Sequence, residues 1–519
     1  MVVTLAMLAL IAAGRMAIEP SDLYDNEQPL TISYTADMLL NGHWVVYYGF
    51  TGELLTKPPL FNWVAAPFVA VAGFGAEWAH KAPAWLGLAV VFAATVAMGR
   101  WTLPRAHAEA AKAWLLSRSS ARRASGGVPE MPASGVNYPY AFIADWRGLA
   151  WAGGLMAVSS YLGIKLMYLA RPDGVMIGCL AVAWWLGTIM VVRESGERAR
   201  WGVAAGFWAA VGLAGLAKGV PALIPVIYVL LLGGLRGWAR GERWSWRWAS
   251  EWGVWWGLPL ASGMVGAWLI AGELASPGLL KRLVVDEVGA KASGGGWWTP
   301  LMGLAMSPGY FVARVLPWSV LALLGVGHVM WHWRGWRAWV VHPAFPAIAW
   351  LGVVIVFFVP AADRGDYLAP AMPAAGVLAA FWLGHHAYRL RSAAAVAVAA
   401  GCVGLAIVGW RVSIAEPYGE NTHRFVADLG KVLDGRPIVL VETGYNPLPT
   451  LLGVHPRGKR PSDDELAAAG WAIAPKGKTW PAPEGAEPLF ASRPLPEVSG
   501  KRAGSLVLWR LKPATPARE

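Results

Sequence analysis

The chain has 519 residues, of which 56% are hydrophobic and only 15% charged, with 33 tryptophans. Soluble domains are near half apolar and about a quarter charged, so this composition excludes an ordinary soluble protein and indicates a polytopic membrane protein. The net charge of +12 sits in short basic segments between apolar runs. That is the pattern of membrane topology, not of a nucleic-acid surface.

Apolar runs fall at about 2–18, 80–99, 148–168, 175–192, 202–217, 220–235, 252–272, 313–331, 345–361, 368–386 and 393–410. Each helical span needs about 20 residues, and these runs predict eleven. The first is read as a retained span, because it has almost no basic leader and no clear cleavage site. A twelfth apolar piece, PLFNWVAAPFVAVAGF (59–74), is short and Pro-flanked and reads as a juxtamembrane or re-entrant helix. With a cytoplasmic N-terminus, the inner segments 99–147, 193–201, 236–251, 332–344 and 387–392 hold most of the arginines, including Arg118, Arg122, Arg123, Arg236 and Arg240. This bias sets the orientation. The two cysteines, Cys179 and Cys402, lie in apolar runs and read as small core residues.

The expected organisation is therefore a transmembrane domain over 1–412 and a small extracytoplasmic α/β domain over 413–519. The first outer loop covers 19–79, a Ser/Gly/Pro-rich and partly disordered cytoplasmic insert 101–147, and a long outer loop 273–312. In the C-terminal part, HRFVADLGKVL and DDELAAAG predict helices, PIVLVETG and SLVLWRL predict strands, and the Pro-rich stretch 472–498 predicts mostly loop.

The outer segments carry the chemistry. YDNEQPLTISYTADM (24–38) places Asp25, Glu27 and Asp37 directly after the first span. A helix is expected from Pro29 to a stop at Gly42. Leu30, Tyr34 and Met38 share one face of it, so it is expected to lie in the membrane interface. Glu27 stands at the positive N-terminus of that helix, either as a cap or as a general base, and Asp37 is expected on its surface. In GELLTKPPLFNW, Lys57 precedes two prolines, a position for a lipid phosphate ligand or a snorkelling anchor. Asp173 in YLARPDGVM is a helix cap or an acid at the mouth of a span, and Lys218 in LAKGVP stands at another outer boundary. Lys281, Arg282 and Lys291 suit an anionic headgroup, beside a triple glycine at 294–296 that is expected to be mobile and a Trp297–Trp298 pair at the interface. The short loop PAADRGDYLAPAMP gathers Asp363, Arg364, Asp366 and Tyr367, a set for lipid-phosphate recognition or for simple anchoring. The histidines show no metal-ligand spacing, so the sequence specifies no metal. A divalent cation held by carboxylates is the one cofactor it leaves open.

In order, Glu27-Gln28, Met38-Leu39, Gly42, Trp44, Lys57-Pro58-Pro59-Leu60, Asp173, Lys218-Gly219-x-Pro221, Leu316-Pro317-Trp318 and Arg364-x-x-Tyr367-x-x-Pro370 resemble the motifs of the glycosyltransferase C superfamily. They are most similar to its bacterial protein-mannosyltransferase-like branch, which includes lipid A aminoarabinose transferase, and the similarity covers roughly 1–415. Two departures stand out: Glu27 occupies a position usually Asp, and Gln28 one usually Glu, which keeps Asp25 in play. The resemblance implies a hexosyl or pentosyl transferase in the bacterial inner membrane. It would move a sugar from polyprenyl phosphate, such as undecaprenyl phosphate, to lipid A, another glycan or a protein at the periplasmic face. It assigns Glu27, or Asp25, as base or metal-binding acid and Asp173 as the second acid. Lys57 is assigned to the donor phosphate, supported by Arg364 and Tyr367, with Lys218 and Lys291 as further cations. A transporter or flippase of a lipid-linked or small polar substrate is the alternative. Such proteins keep ionisable groups near the midplane, whereas here they sit at helix ends.

Overall fold

The structure is a computed structural model. It describes residues 1–17, 28–49, 54–55, 57–125, 145–192, 201–242, 247–283, 285, 299–333, 335–361, 365–386, 392–433, 438–440, 448–453, 466, 468–475, 485–491 and 506–511.

The apolar runs form helices, as a chain in lipid must satisfy its own backbone hydrogen bonds. We number the main ones α1 (Val2–Ala17), α2 (Gln28–Asn41), α3 (Leu60–Ala72), α4 (Glu77–Ser125), α5 (Trp146–Val158), α6 (Tyr161–Met167), α7 (Asp173–Val192) and α8 (Trp201–Lys218). They continue with α9 (Leu223–Arg240), α10 (Val254–Ala275), α11 (Thr299–Arg314), α12 (Trp318–His332), α13 (Phe345–Phe357), α14 (Met372–His386) and α15 (Ala393–Leu433).

Among the described residues, seven helices are long and apolar enough to cross a membrane, and nine spans result if each of two bent pairs counts as one. The molecule is an integral membrane protein. Every one of the eleven expected runs coincides with a helix, but α1 and α13 are shorter than a full span. At 1.5 Å per residue, the 13 residues of α13 extend about 20 Å, against a hydrocarbon core of about 30 Å. The same holds for α3, which matches the expected short twelfth piece.

The bent pairs have local causes. Between α5 and α6 the axis turns by 68°, where Ser160 leaves the helix and its hydroxyl accepts the Gly163 amide at 3.1 Å. Ser side chains compete in this way with the helical backbone. Between α11 and α12 the turn is 118°, at the Leu316-Pro317-Trp318 motif, where Pro317 caps α12.

Two segments expected as loops are helical in part. The insert is helical through Ser125 as an extension of α4, because the run AEAAKAWLL is rich in strong helix formers; 126–144 lie outside the described residues. Much of the expected outer loop 273–312 is also helical, as α11, and the triple glycine lies outside the described residues. The residues Leu301, Met302 and Leu304 of α11 are exposed, as on a helix that meets lipid.

The bundle centres on α4, which packs on α7 and α5, while α7 packs on α8 and α14 on α5 and α12. The α4–α7 crossing depends on glycine: a Cβ on Gly87 would lie 2.1 Å from the Gly174 carbonyl oxygen, and one on Gly174 2.8 Å from Ala84 Cα. Such small-residue contacts let membrane helices approach closely. Here they seat the first turn of α7, where Asp173 begins the helix.

At the C-terminus, α15 runs without a break across 412 and 413. Phe425, Leu429 and Leu433 of this helix pack on Trp471, Ile473 and Leu508 of a four-stranded sheet. Its strands are β1 (Val439–Leu440), β2 (Trp471–Pro475), β3 (Glu487–Ala491) and β4 (Leu506–Arg510), in the order β1-β2-β4-β3. The pair β1–β2 is parallel and the other two pairs are antiparallel. The expected helix at HRFVADLGKVL and strand at SLVLWRL are present. The Pro-rich stretch, expected as mostly loop, contributes residues 472–475 to β2 and all of β3, while 476–484 and 492–498 lie outside the described residues. Its prolines are tolerated because Pro475 ends a strand and Pro488 lies at a bulge on the edge strand.

Candidate active site

The helix α2 starts at Gln28, one residue before the expected Pro29, and ends before Gly42 as expected. It does not lie open on the membrane surface. Residues Thr31 through Met38 are all buried, against α3 and the loop that follows α2. Asn62 of α3 donates from Nδ2 to the Thr31 carbonyl at 2.7 Å and to Thr35 Oγ1 at 2.9 Å.

Asp37, expected on the surface, is 1% exposed. Its carboxylate accepts from Asn41 Nδ2 at 2.7 Å and from the Tyr48 amide at 2.8 Å, and His43 Nδ1 stands 3.0 Å away. Asp37 therefore ties the C-terminal end of α2 to the loop 42–49. That loop in turn fixes Lys57: the Tyr47 hydroxyl donates to the Lys57 carbonyl at 2.6 Å, and the Leu55 amide donates to the Tyr47 carbonyl at 3.1 Å. Tyr47 packs on Tyr34 of α2 at 4.8 Å between ring centres, and its hydroxyl pKa is raised well above the ordinary value, chiefly by burial.

Gln28 is fully buried, and its side-chain oxygen accepts the Ala170 amide at 2.8 Å. The start of α2 is thereby joined to the turn that leads into Asp173. The same turn is held from below by Tyr168, whose ring carries Lys81 Nζ at 3.5 Å and the Arg15 guanidinium at 4.6 Å. Both are cation–π distances.

Asp173 is 2% exposed. Lys218 donates to it at 2.5 Å, and Arg171 Nε lies 3.3 Å from its other oxygen. Lys218 is the last residue of α8, and Gly219 follows with φ of 72°, a backbone state that favours glycine. The chain then turns through Val220–Ala222 into α9. Lys218 Nζ also sits 4.5 Å above the Tyr367 ring. Lys57 is close enough for its charge to act on Asp173.

A second carboxylate completes the cluster. Asp366 accepts from Lys165 at 2.6 Å and faces Arg171 and Arg314, each at 3.9 Å. Arg314 also donates to the Tyr161 hydroxyl at 3.3 Å. Among the described residues, Lys165, Arg171, Lys218 and Arg314 thus meet two carboxylates at one end of the bundle, with Lys57 acting on Asp173 through its charge. Charges removed from water need such pairing, and cations beyond the two acids suit an anionic ligand.

Of the residues singled out from sequence, Lys57, Asp173, Lys218 and Tyr367 come together. Asp25, Glu27, Lys291 and Arg364 lie outside the described residues. Lys165 and Arg314 drew no role from the sequence, and Asp366 was grouped there only with the polar residues of its short loop, for lipid-phosphate recognition or anchoring. The signal for Lys165 was its place in the apolar run YLGIKLM, since an ionisable residue inside a membrane segment marks function by default. Among the described residues, no group of three His, Cys, Asp or Glu is placed to hold a metal ion.

No protein-family model matches the sequence, and no curated protein does. Solved structures do. ArnT from Cupriavidus metallidurans, crystallised with undecaprenyl phosphate, superposes with a TM-score of 0.62 over 92% of this chain and 92% of that one, at 16% identity. This chain has the ArnT fold. The apo form of ArnT agrees, with a TM-score of 0.61 over 92% of each chain at 15% identity. The archaeal oligosaccharyltransferase AglB from Archaeoglobus fulgidus also aligns, over 91% of this chain and 69% of that one at 10% identity, but its TM-score of 0.45 is too low to bear on the fold. The architecture expected from the motif order is thus the one observed.

Proposed function

We propose that the chain is a membrane glycosyltransferase that moves a sugar from a polyprenyl-phosphate donor to an acceptor at the outer face of the cytoplasmic membrane. The observation that carries this reading is the gathering of Lys57, Arg171, Lys218 and Tyr367 around buried Asp173 within the ArnT fold. ArnT itself was crystallised with undecaprenyl phosphate, which supports a lipid-linked donor here. The chemistry is acid–base and electrostatic. A carboxylate takes the proton of the acceptor hydroxyl, the oxygen attacks the anomeric carbon, and the sugar–phosphate bond breaks. Cations stabilise the departing lipid phosphate.

Glu27 is assigned as the base, with Asp25 the alternative. The bond from its neighbour Gln28 to Ala170, three residues before Asp173, supports that choice. Asp173 orients Lys218 and Arg171, and Lys57 binds the donor phosphate, joined by Arg364, Lys291 and Tyr367. The sugar is a hexose or pentose, and the acceptor is lipid A, another glycan or a protein. A divalent cation would need carboxylates that include Glu27 or Asp25. The C-terminal α/β unit, 413–519, stands on the same extracytoplasmic side as the site.

The two bent helix pairs beside the site favour one second reading, a transporter or flippase, because broken helices are common there. Undecaprenyl phosphate binding to the purified chain, read by native mass spectrometry, tests the donor class. Binding that weakens about tenfold in Lys57→Ala supports a polyprenyl-phosphate ligand held by Lys57, and equal binding by both proteins contradicts the assignment of Lys57.

A further inference from the structure

We infer that Asp366 is a positioning residue of this site, setting the geometry of its cations without touching the reacting atoms. Three cations reach it from three separate elements: Lys165 from α6, Arg171 from the turn before α7, and Arg314 from the end of α11. Brought together in a poorly solvated place, like charges repel strongly. Among the described residues, Asp366 is the carboxylate that lies between all three. Lys165 is 8% exposed and bonds to it at 2.6 Å.

The element that carries Asp366 is itself fixed. It is the short 3-10 segment Gly365–Ala371, whose Pro370 carbonyl accepts the Trp350 indole N–H from α13 at 2.7 Å. The next residue, Tyr367, turns its ring to Lys218. One turn thus aims consecutive side chains at both halves of the cluster. Arg171 spans the halves, since it faces Asp366 on one side and Asp173 on the other.

A specific consequence separates this role from simple support of the fold. The Asp366 carboxylate and a lipid phosphate are both anions, and both are drawn to the same cations. Removing the Asp366 charge therefore leaves anion capture as strong or stronger while the cations lose their alignment for turnover. A merely structural role would weaken both together.

The experiment compares wild type, Asp366→Asn and Asp366→Glu as full chains in lipid nanodiscs. Amine labelling followed by mass spectrometry reports Lys165 against exposed Lys281 as the internal reference. Undecaprenyl phosphate affinity and turnover of an undecaprenyl-phosphate sugar are measured on the same samples. In Asp366→Asn, Lys165 labelling rises several-fold, phosphate affinity holds or tightens, and kcat falls about tenfold or more; Asp366→Glu recovers much of the turnover. Unchanged Lys165 labelling overturns the inference. So does a loss of phosphate affinity equal to the loss of turnover, with no recovery in Asp366→Glu. The turnover arm rests on the transferase reading. If wild type neither binds nor turns over the lipid, that reading fails, and the labelling arm alone decides the role of Asp366.

Discussion

Asp173 shows how a single residue ties sequence, packing and chemistry together. It is buried with Lys218 and Arg171 against it, so it is both a structural and an electrostatic element. Replacing one member of a buried pair leaves the other charge uncompensated and costs about 3–5 kcal/mol. Asp173→Asn is therefore expected to lower thermal stability in detergent and to reduce turnover by about 100-fold or more. The double variant Asp173→Leu/Lys218→Met recovers part of the stability but not turnover, because apolar side chains of similar volume replace the pair while Arg171 keeps Asp366 as a partner. Parallel unfolding and turnover assays check this; recovery of both would show that the pair serves the fold alone. Asp37 gives a second test. Its carboxylate holds Asn41, His43 and the Tyr48 amide, and losing a buried hydrogen-bonding charge costs about 2 kcal/mol. Asp37→Ala is expected to lower the unfolding temperature and, through the loop to Lys57, to raise the donor KM. An unchanged KM would break the link between Asp37 and Lys57. The sequence exposed Asp173, Lys57 and Lys218 because each stands at a helix boundary beside Pro or Gly. It misplaced Asp37 because helix periodicity gives a face, not what covers that face. The cover comes from loop residues 42–49 and from α3, which follow α2 in the chain and fold back over it.

At the scale of elements, the site depends on how closely helices approach. The first turn of α7 sits against α4 through Gly87 and Gly174. Overpacking a close contact costs about 1–3 kcal/mol, so Gly87→Ala is expected to push α7 away, displace Asp173 and lower both stability and turnover. Gly263→Ala in α10, where nothing lies within 4 Å of an added Cβ, is the control and is expected to be near neutral. Thermal unfolding of the two variants side by side checks it, and equal stability would show that the crossing is not tight. Helix existence was legible in the chain, since each apolar run became a helix. The bends at Ser160 and Pro317 were not, because hydropathy does not distinguish one long span from two helices in tandem. The strands β2 and β3 were missed for the opposite reason: prolines suggest loop, and only pairing with β4 makes them strand.

At the scale of the molecule, topology and chemistry meet at one end of the bundle. The distribution of arginine predicts that the cluster end faces outward. In spheroplasts, an impermeant maleimide is therefore expected to label Lys281→Cys and not Arg105→Cys, in a background where Cys179 and Cys402 are replaced; the reverse pattern would invert the orientation. The continuity of α15 from the membrane into the helix that packs on the sheet couples the C-terminal unit mechanically to the bundle; the change of composition near 412 marks where that unit begins but not the unbroken helix across it. The central claim is that this bundle transfers a sugar from a polyprenyl phosphate. Its most direct test is purified protein in lipid vesicles with an undecaprenyl-phosphate sugar labelled in the sugar. Acceptor-dependent release of free undecaprenyl phosphate is expected, lost in Glu27→Gln and in Asp173→Asn although both insert normally. Movement of the intact lipid-linked sugar across the bilayer without release, or full release by both variants, would contradict it.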